Sequence, residues 1–160
     1  RVKSLLIAND GEKYSPEVIE ETIVEHSPYI EQIMLYNNQS PYTVGLVVPA
    51  KEAIARKLKE TGLSTATAEG QAAALKLIDA EIASYRAGGK NEGMFPARWL
   101  PAAVSVLGEP FSEANGCFNF LGKLVRSKVN ALYADRIEYM FTPEGKDIVN
   151  PRNLTIVSRF

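Results

Sequence analysis

Two apolar runs separated by a short polar loop constrain the fold of this chain most. Residues 30–36 and 42–48 are rich in the β-branched and aromatic side chains typical of strands. Between them stands the turn-forming sequence Asn37-Asn38-Gln39-Ser40-Pro41. Because a loop of this length commonly joins antiparallel strands, the sequence predicts a hairpin. A further buried strand is predicted over residues 102–107.

Helices are predicted on either side of these strands in the chain. Ser15 and Pro16 suit the N-cap and the first turn of a helix over residues 16–25. The spacing of apolar residues predicts three further helices, over residues 49–61, 67–85 and 125–140. The prolines and glycine of residues 142–160 predict an irregular tail.

The first fifteen residues predict a separate small element. Residues 2–8 resemble a strand, the turn Asn9-Asp10-Gly11 follows, and residues 13–14 are its returning partner. The predicted fold class is therefore α+β, with a small antiparallel sheet flanked by helices plus an N-terminal two-stranded flap.

Composition excludes several classes of protein. The 160 residues are a single-domain length, and 18 Lys+Arg against 19 Asp+Glu argue against nucleic-acid binding. One Cys and one His exclude an internal disulfide and a Cys/His zinc cage, and they fit the reducing conditions of the cytoplasm. No apolar run approaches the roughly 20 residues of a membrane helix.

Taken singly, the residues that could be reactive have ordinary interpretations. We expect His26 to be structural or solvated, Cys117 to be a small apolar residue, and the glutamates of residues 16–25 to form a solvated face. The cationic run of Lys123, Arg126 and Lys128 predicts either a solvated helix start or an anion site, and the residues alone leave this open.

Two segments carry a more specific pattern. The first begins Arg1-Val2-Lys3-Ser4-Leu5-Leu6-Ile7 and continues as Gly11-Glu12-Lys13-Tyr14-Ser15-Pro16-Glu17-Val18-Ile19-Glu20. The second is Glu109-Pro110-Phe111-Ser112-Glu113, followed by Gly122-Lys123-Leu124-Val125-Arg126. In order and spacing they resemble two C-terminal motifs of the adenylate-forming enzymes, which include acyl-CoA synthetases, luciferases and peptide-synthetase adenylation domains. Residues 29–32, 47–49, 95–101 and 139–146 are similar to the long-chain fatty-acid–CoA ligase branch.

The resemblance implies a domain organisation and an activity. Residues 1–160 would be a single C-terminal lid domain, a fragment of a larger ligase that lacks its N-terminal adenylation domain and carries a helical insertion at residues 62–93. The complete enzyme would join a long-chain fatty acid to ATP as acyl-AMP, and CoA would then displace AMP. The Mg²⁺ ligands, the acyl tunnel and any peripheral membrane association would belong to the missing domain, so the isolated fragment is predicted to be inactive.

The resemblance also implies roles for five residues. Lys123 matches the catalytic lysine of adenylation, and Gly11 matches the glycine that lines the pantetheine channel for CoA. Lys3 falls at the hinge position, Arg1 matches an arginine that contacts the nucleotide, and Arg126 would anchor the lysine loop.

Alternative interpretations stay open. The enzyme could load an acyl-carrier protein instead of CoA, or the domain could be a non-catalytic interaction module derived from a lid. Gly11 also suits a plain turn, Lys123 a solvated surface, and Lys3 a surface charge. One extra residue stands between Arg1 and Gly11 relative to the family pattern, and a shift of register would put Asp10 at the channel.

Overall fold

The architecture is α+β, as predicted. The computed structural model describes residues 4–160. The strands form a two-stranded flap and a three-stranded sheet of order β3–β4–β5, with bounds β1 (Leu6–Ile7), β2 (Lys13–Tyr14), β3 (Ile30–Tyr36), β4 (Val44–Pro49) and β5 (Ala103–Val106).

The main sheet is mixed. Strands β3 and β4 pair antiparallel with Ile33 opposite Val47, which confirms the predicted hairpin. Strand β5 lies parallel to β4, with Leu46 opposite Ser105. A parallel neighbour needs a long crossover, and two helices in the connection between β4 and β5 supply it.

Seven α-helices surround the strands in the described part of the chain. Their bounds are α1 (Pro16–His26), α2 (Lys51–Glu60), α3 (Ala68–Ala83), α4 (Arg126–Leu132), α5 (Ala134–Tyr139), α6 (Pro143–Lys146) and α7 (Pro151–Val157). The predicted helix over residues 125–140 is two helices, because Tyr133 leaves the helical region at φ −111° and ψ 24°. A single 3₁₀ turn, Ala97–Trp99, precedes β5.

The prediction of an irregular tail over residues 142–160 is wrong. Thr142 and Asn150 cap helices α6 and α7, since their side-chain oxygens accept hydrogen bonds from the backbone N–H groups of Gly145 (3.0 Å) and Asn153 (2.9 Å). The buried Asn153 also accepts a hydrogen bond from the Val106 N–H at 3.0 Å, which fixes α7 to β5. Pro143 and Pro151 favour helix starts, but Val106, against which α7 docks, is distant in sequence.

Apolar side chains cover both faces of the sheet. One core joins Val47 and Ile33 to Ile19, Ile54 and Ile78 of helices α1–α3. The opposite core joins Leu46 and Met34 to helices α4 and α5 through Val129, Ile137 and Met140. Because alternate strand residues point to opposite faces, the sheet separates two groups of helices.

Candidate functional site

Lys123 lies on a short, backbone-bonded hairpin, here called the lysine hairpin (residues 117–125). The Asn119 side-chain oxygen accepts the N–H groups of Leu121 (2.9 Å) and Lys123 (3.0 Å), while the Asn119 N–H donates to the Lys123 carbonyl at 2.9 Å. Gly122 has a φ of +75°, a conformation that favours glycine. The exposed Lys123 forms no ion pair with the residues described, 4–160. Its backbone is held in place while its side chain faces solvent.

An open cleft of about 650 Å³ separates the lysine hairpin from the start of α1. Its lining includes Ser15, Glu17, Glu20, Phe118, Lys123 and Arg126. The cleft therefore brings together two of the predicted site residues, Lys123 and Arg126. The other two cationic candidates, Arg1 and Lys3, lie outside the described residues.

Arg126 forms a buried ion pair with Glu20. Its two terminal nitrogens donate to the two carboxylate oxygens of Glu20, one of them at 2.9 Å, and Glu20 also accepts the Leu35 N–H at 2.7 Å. The Glu20 side chain is only 9% exposed and that of Arg126 16%. The prediction that the glutamates of α1 form a solvated face is therefore wrong for Glu20. Its partner stands 106 positions away in the sequence, so local helix patterning gave no sign of it.

Burial and pairing act in opposite directions on Glu20. Desolvation raises the pKa of its carboxyl, and the hydrogen bonds and charge of Arg126 oppose that effect. Burial alone would lower the pKa of Arg126, but the hydrogen bonds to Glu20 and the charges of Glu20 and Glu17 raise it. The pair fixes the first residue of α4 to α1 immediately after the lysine hairpin.

Gly11 stands at the tip of the flap, in what we call the Gly11 turn (residues 8–12). The Gly11 N–H donates to the Ala8 carbonyl at 2.9 Å, and the Ala8 N–H donates to the Glu12 carbonyl at 2.7 Å. Gly11 has a φ of +90°, and a Cβ added there would meet no atom within 4 Å among the described residues other than its two chain neighbours. Glycine is thus favoured by the backbone torsion rather than by crowding.

The Gly11 turn and the lysine hairpin belong to different surfaces. Asp10 lines a second open pocket of about 660 Å³ together with Tyr42, Arg86 and Arg98. This pocket and the cleft beside Lys123 have no lining residue in common. The structure does not bring the two strongest sequence candidates into one site.

Arg98 and Trp99 hold the flap from the 3₁₀ turn. Arg98 forms ion pairs with Asp10 at 2.7 Å and Glu12 at 2.6 Å, and the Trp99 indole N–H donates to Glu12 at 2.8 Å. The Trp99 ring stacks on Tyr14 with centroids 5.2 Å apart. Sequence patterns gave no sign of these contacts, because Arg98 and Asp10 are 88 positions apart.

Acidification is expected to release this contact. The Glu12 N–H and then Arg98 lower the pKa of Asp10, while Trp99 and then Arg98 lower that of Glu12. Lowered folded-state values mean that the carboxylates contribute stability above the ordinary carboxyl range and lose it as pH falls through those values. Fluorescence of the single tryptophan of this chain, Trp99, should therefore change with a midpoint below the ordinary range of carboxyl groups.

A fluorescence titration of the 160-residue chain measures that midpoint, with circular dichroism to follow global unfolding. Glu12→Gln should reduce the amplitude, whereas Glu113→Gln, which alters an exposed loop carboxylate, should not. If Trp99 fluorescence did not change through the acid range, the expected release of the flap contact would be contradicted.

The remaining reactive side chains are accounted for locally. The His26 ring lies 2.9 Å from the Thr22 carbonyl through Nδ1, and Cys117 is fully buried. Burial raises the pKa of the Cys117 thiol and so disfavours the thiolate that a nucleophile requires. Across residues 4–160, no group of three or more His, Cys, Asp or Glu side chains is placed to bind a metal ion. None of the helices described is long and apolar enough to cross a membrane.

The chain is similar to known proteins over most of its length. Residues 3–70 match the family model of the AMP-binding enzyme C-terminal domain. The solved A-PCP didomain of carboxylic acid reductase from Segniliparus rugosus, in complex with AMP, matches with a TM-score of 0.62 and 26% identity, over 87% of this chain and 17% of that chain. These matches confirm the predicted resemblance to the C-terminal domain of adenylate-forming enzymes.

Two further proteins are similar to this chain. The curated carboxylic acid reductase of Segniliparus rugosus is 28% identical over 142 residues, which are 88% of this chain and 11% of that protein. The adenylation domain of a carboxylate reductase from Mycobacterium chelonae shares the fold, with a TM-score of 0.63 and 22% identity over 86% of this chain and 19% of that one. The chain thus spans about a tenth of its curated relative, which is named as a reductase rather than a CoA ligase.

Proposed function

We propose that this C-terminal domain is the mobile lid of an enzyme that activates a carboxylic acid with ATP and then transfers the acyl group to a pantetheine thiol. The observation that carries the proposal is the placement of Lys123 on an exposed hairpin whose backbone is fixed by Asn119 and whose end is anchored by Arg126. A cation presented in this way can enter an active site contributed by an N-terminal adenylation domain. We place the ATP phosphate loop, the Mg²⁺ ligands and the acyl tunnel in that domain.

The first half-reaction needs a cation between two anions. A carboxylate oxygen of the acid attacks the α-phosphorus of ATP, a P–O bond forms, and pyrophosphate leaves with its electron pair. The carboxylate and the phosphate repel each other as they approach. The Lys123 ammonium would reduce that repulsion and align the two groups, which are contributions of charge and position rather than of covalent chemistry.

The second half-reaction calls for the other surface. The thiol sulfur attacks the acyl carbon and gives up its proton to solvent, the acyl C–O bond breaks as the C–S bond of the thioester forms, and AMP leaves with the electron pair. The Gly11 turn would border the passage of the pantetheine arm, where the lack of a side chain keeps the space open. Because Lys123 and the Gly11 turn line separate pockets, a rotation of the lid between the half-reactions would present each in turn. Lys3 is proposed as the hinge and Arg1 as a nucleotide contact.

Two resemblances support candidates for the acid and for the acceptor. The resemblance of residues 95–101 and 139–146 to long-chain ligases supports a fatty acid and CoA. The match to the A-PCP didomain supports a second candidate acceptor, a pantetheine arm carried by a carrier protein.

The experiment uses a complete protein that contains this C-terminal domain and an adenylation domain. We expect exchange of pyrophosphate into ATP that depends on a long-chain acid such as palmitate. Adding CoA, or a carrier protein loaded with phosphopantetheine, then identifies the acceptor by the thioester formed. Absence of exchange with every carboxylic acid supplied would contradict the proposed function.

Gly11→Leu is expected to slow thioester formation while leaving pyrophosphate exchange near the wild-type rate, because a side chain would enter the pantetheine passage. A non-glycine residue at positive φ also costs about 1–3 kcal/mol. Gly62→Leu is the matched control, since Gly62 has a φ of +75° and open space around it but lies at the end of α2. A chase of acyl-AMP with thiol measures the effect. Equal loss in both variants would indicate a folding defect.

A further inference from the structure

The Gly11 turn has little packing of its own. Apart from Gly11 itself and its two chain neighbours, no described residue has an atom within 4 Å of the position that a Gly11 Cβ would occupy, and both flanking carboxylates are substantially exposed. A glycine also has no side chain by which it could be held. The conformation of the turn at φ +90° therefore depends on its two backbone hydrogen bonds and on the side-chain contacts of Asp10 and Glu12.

A single guanidinium joins those two neighbours. Arg98 contacts Asp10 through one terminal nitrogen at 2.7 Å and Glu12 through the other at 2.6 Å. Exposed ion pairs add little to global stability, so the contribution of this contact is geometric. It sets the distance between the carboxylates on either side of Gly11.

Trp99 connects the same turn to the buried part of the domain. Its indole N–H donates to Glu12, and its ring lies parallel to that of Tyr14, with an angle of 5° between the planes. The Tyr14 hydroxyl shares a buried hydrogen bond with Thr43, whose own hydroxyl donates to the Arg98 carbonyl at 2.9 Å. These contacts close a ring from the flap through Thr43, which directly precedes the central strand β4, to the 3₁₀ turn.

Arg86 binds the 3₁₀ turn and the residues directly after it. It follows the end of α3, and its terminal nitrogens donate to the carbonyls of Pro101 at 2.9 Å and Ala97 at 3.4 Å. The segment that the sequence predicts as an insertion, residues 62–93, therefore contacts the element that holds the flap.

We propose that Arg98 and Trp99 are positioning residues for thioester formation, acting through Asp10 and Glu12 to hold the Gly11 turn at the path of the pantetheine thiol. This inference rests on the proposed function. Neither residue lines the cleft beside Lys123, so we expect adenylation to proceed without them. A turn that is free to change its torsions would obstruct the thiol or misplace it, and a misplacement of about 1 Å can reduce a rate about a hundredfold.

The test compares both half-reactions in the complete protein with Arg98→Ala and Trp99→Phe. Pyrophosphate exchange should stay within about twofold of wild type, as for a surface substitution. Discharge of pre-formed acyl-AMP by CoA or by a loaded carrier protein should slow at least about tenfold, in kcat more than in the KM for the thiol. Arg98→Lys should restore part of the rate, since one ammonium can still pair with a carboxylate. Trp99→Phe keeps an aromatic ring against Tyr14 and removes only the hydrogen-bond donor, so it stays informative if Arg98→Ala folds poorly.

Hydrogen exchange provides a second readout. Amides of residues 8–14 should exchange faster in Arg98→Ala and as in wild type in Arg159→Ala, which removes the same charge from the exposed C-terminal end. Discharge at the wild-type rate in both Arg98→Ala and Trp99→Phe, with normal adenylation, would overturn this inference alone. Equal loss of both half-reactions in these variants would also overturn it. A wild-type protein without acid-dependent exchange would overturn the proposed function and this inference with it.

Discussion

In the complete protein, Lys123→Ala is expected to lower acid-dependent pyrophosphate exchange by at least about a hundredfold, because loss of a preorganised charge in an active site typically costs about 3–4 kcal/mol. Asn119 already fixes the Lys123 backbone, so little reorganisation would be needed when the hairpin enters the active site. The exchange rate with saturating acid and ATP measures the effect.

The effect of this variant should be selective. Given pre-formed acyl-AMP and a pantetheine thiol, Lys123→Ala should form thioester at close to the wild-type rate, because the hairpin would have turned away by then. Lys128→Ala is the matched control, an exposed lysine in the first turn of α4, and should exchange normally. Near-wild-type exchange by Lys123→Ala would mean that another cation neutralises the substrates.

Arg126→Ala is expected to lower the free energy of unfolding by about 3–5 kcal/mol, because it leaves the Glu20 carboxylate buried without its partner. The sequence alone predicts a supporting role for Arg126 and milder harm to exchange than Lys123→Ala causes. The buried pair adds a large effect on stability. Urea unfolding of the 160-residue chain measures it, with the exposed Arg56→Ala as a control.

A double variant separates pairing from simple loss of packing. Glu20→Ala combined with Arg126→Ala should be less destabilised than the sum of the two single variants, because neither charge is then left unpaired. Additive losses would show that the two side chains do not depend on each other.

Local patterns were sufficient to predict the elements that present the site. Ser15 and Pro16 marked the start of α1, and the polar loop over residues 37–41 marked the hairpin of β3 and β4. The chain order of the glycine turn and the lysine loop was enough for the resemblance to adenylate-forming enzymes. Each of these motifs, taken singly, is a local signal in the sequence.

Contacts between distant residues could not be predicted in the same way. Glu20 has the sequence context of a solvated helix, and only the fold places Arg126 against it. Arg98 meets Asp10 because the 3₁₀ turn packs beside the flap, which no spacing in the sequence encodes. The tail over residues 142–160 has helix caps, but α7 is fixed to β5 by Asn153, whose contacts are tertiary.

If one domain uses two surfaces in succession, Lys123→Ala and Gly11→Leu should affect different half-reactions. Rapid-quench assays of the complete protein would give the rate of acyl-AMP formation and the rate of its discharge by thiol for each variant. We predict opposite selectivity: Lys123→Ala loses the first rate and keeps the second, and Gly11→Leu keeps the first and loses the second. If both variants lost the same half-reaction, or lost both equally, the two surfaces would not act in succession and the account would be contradicted.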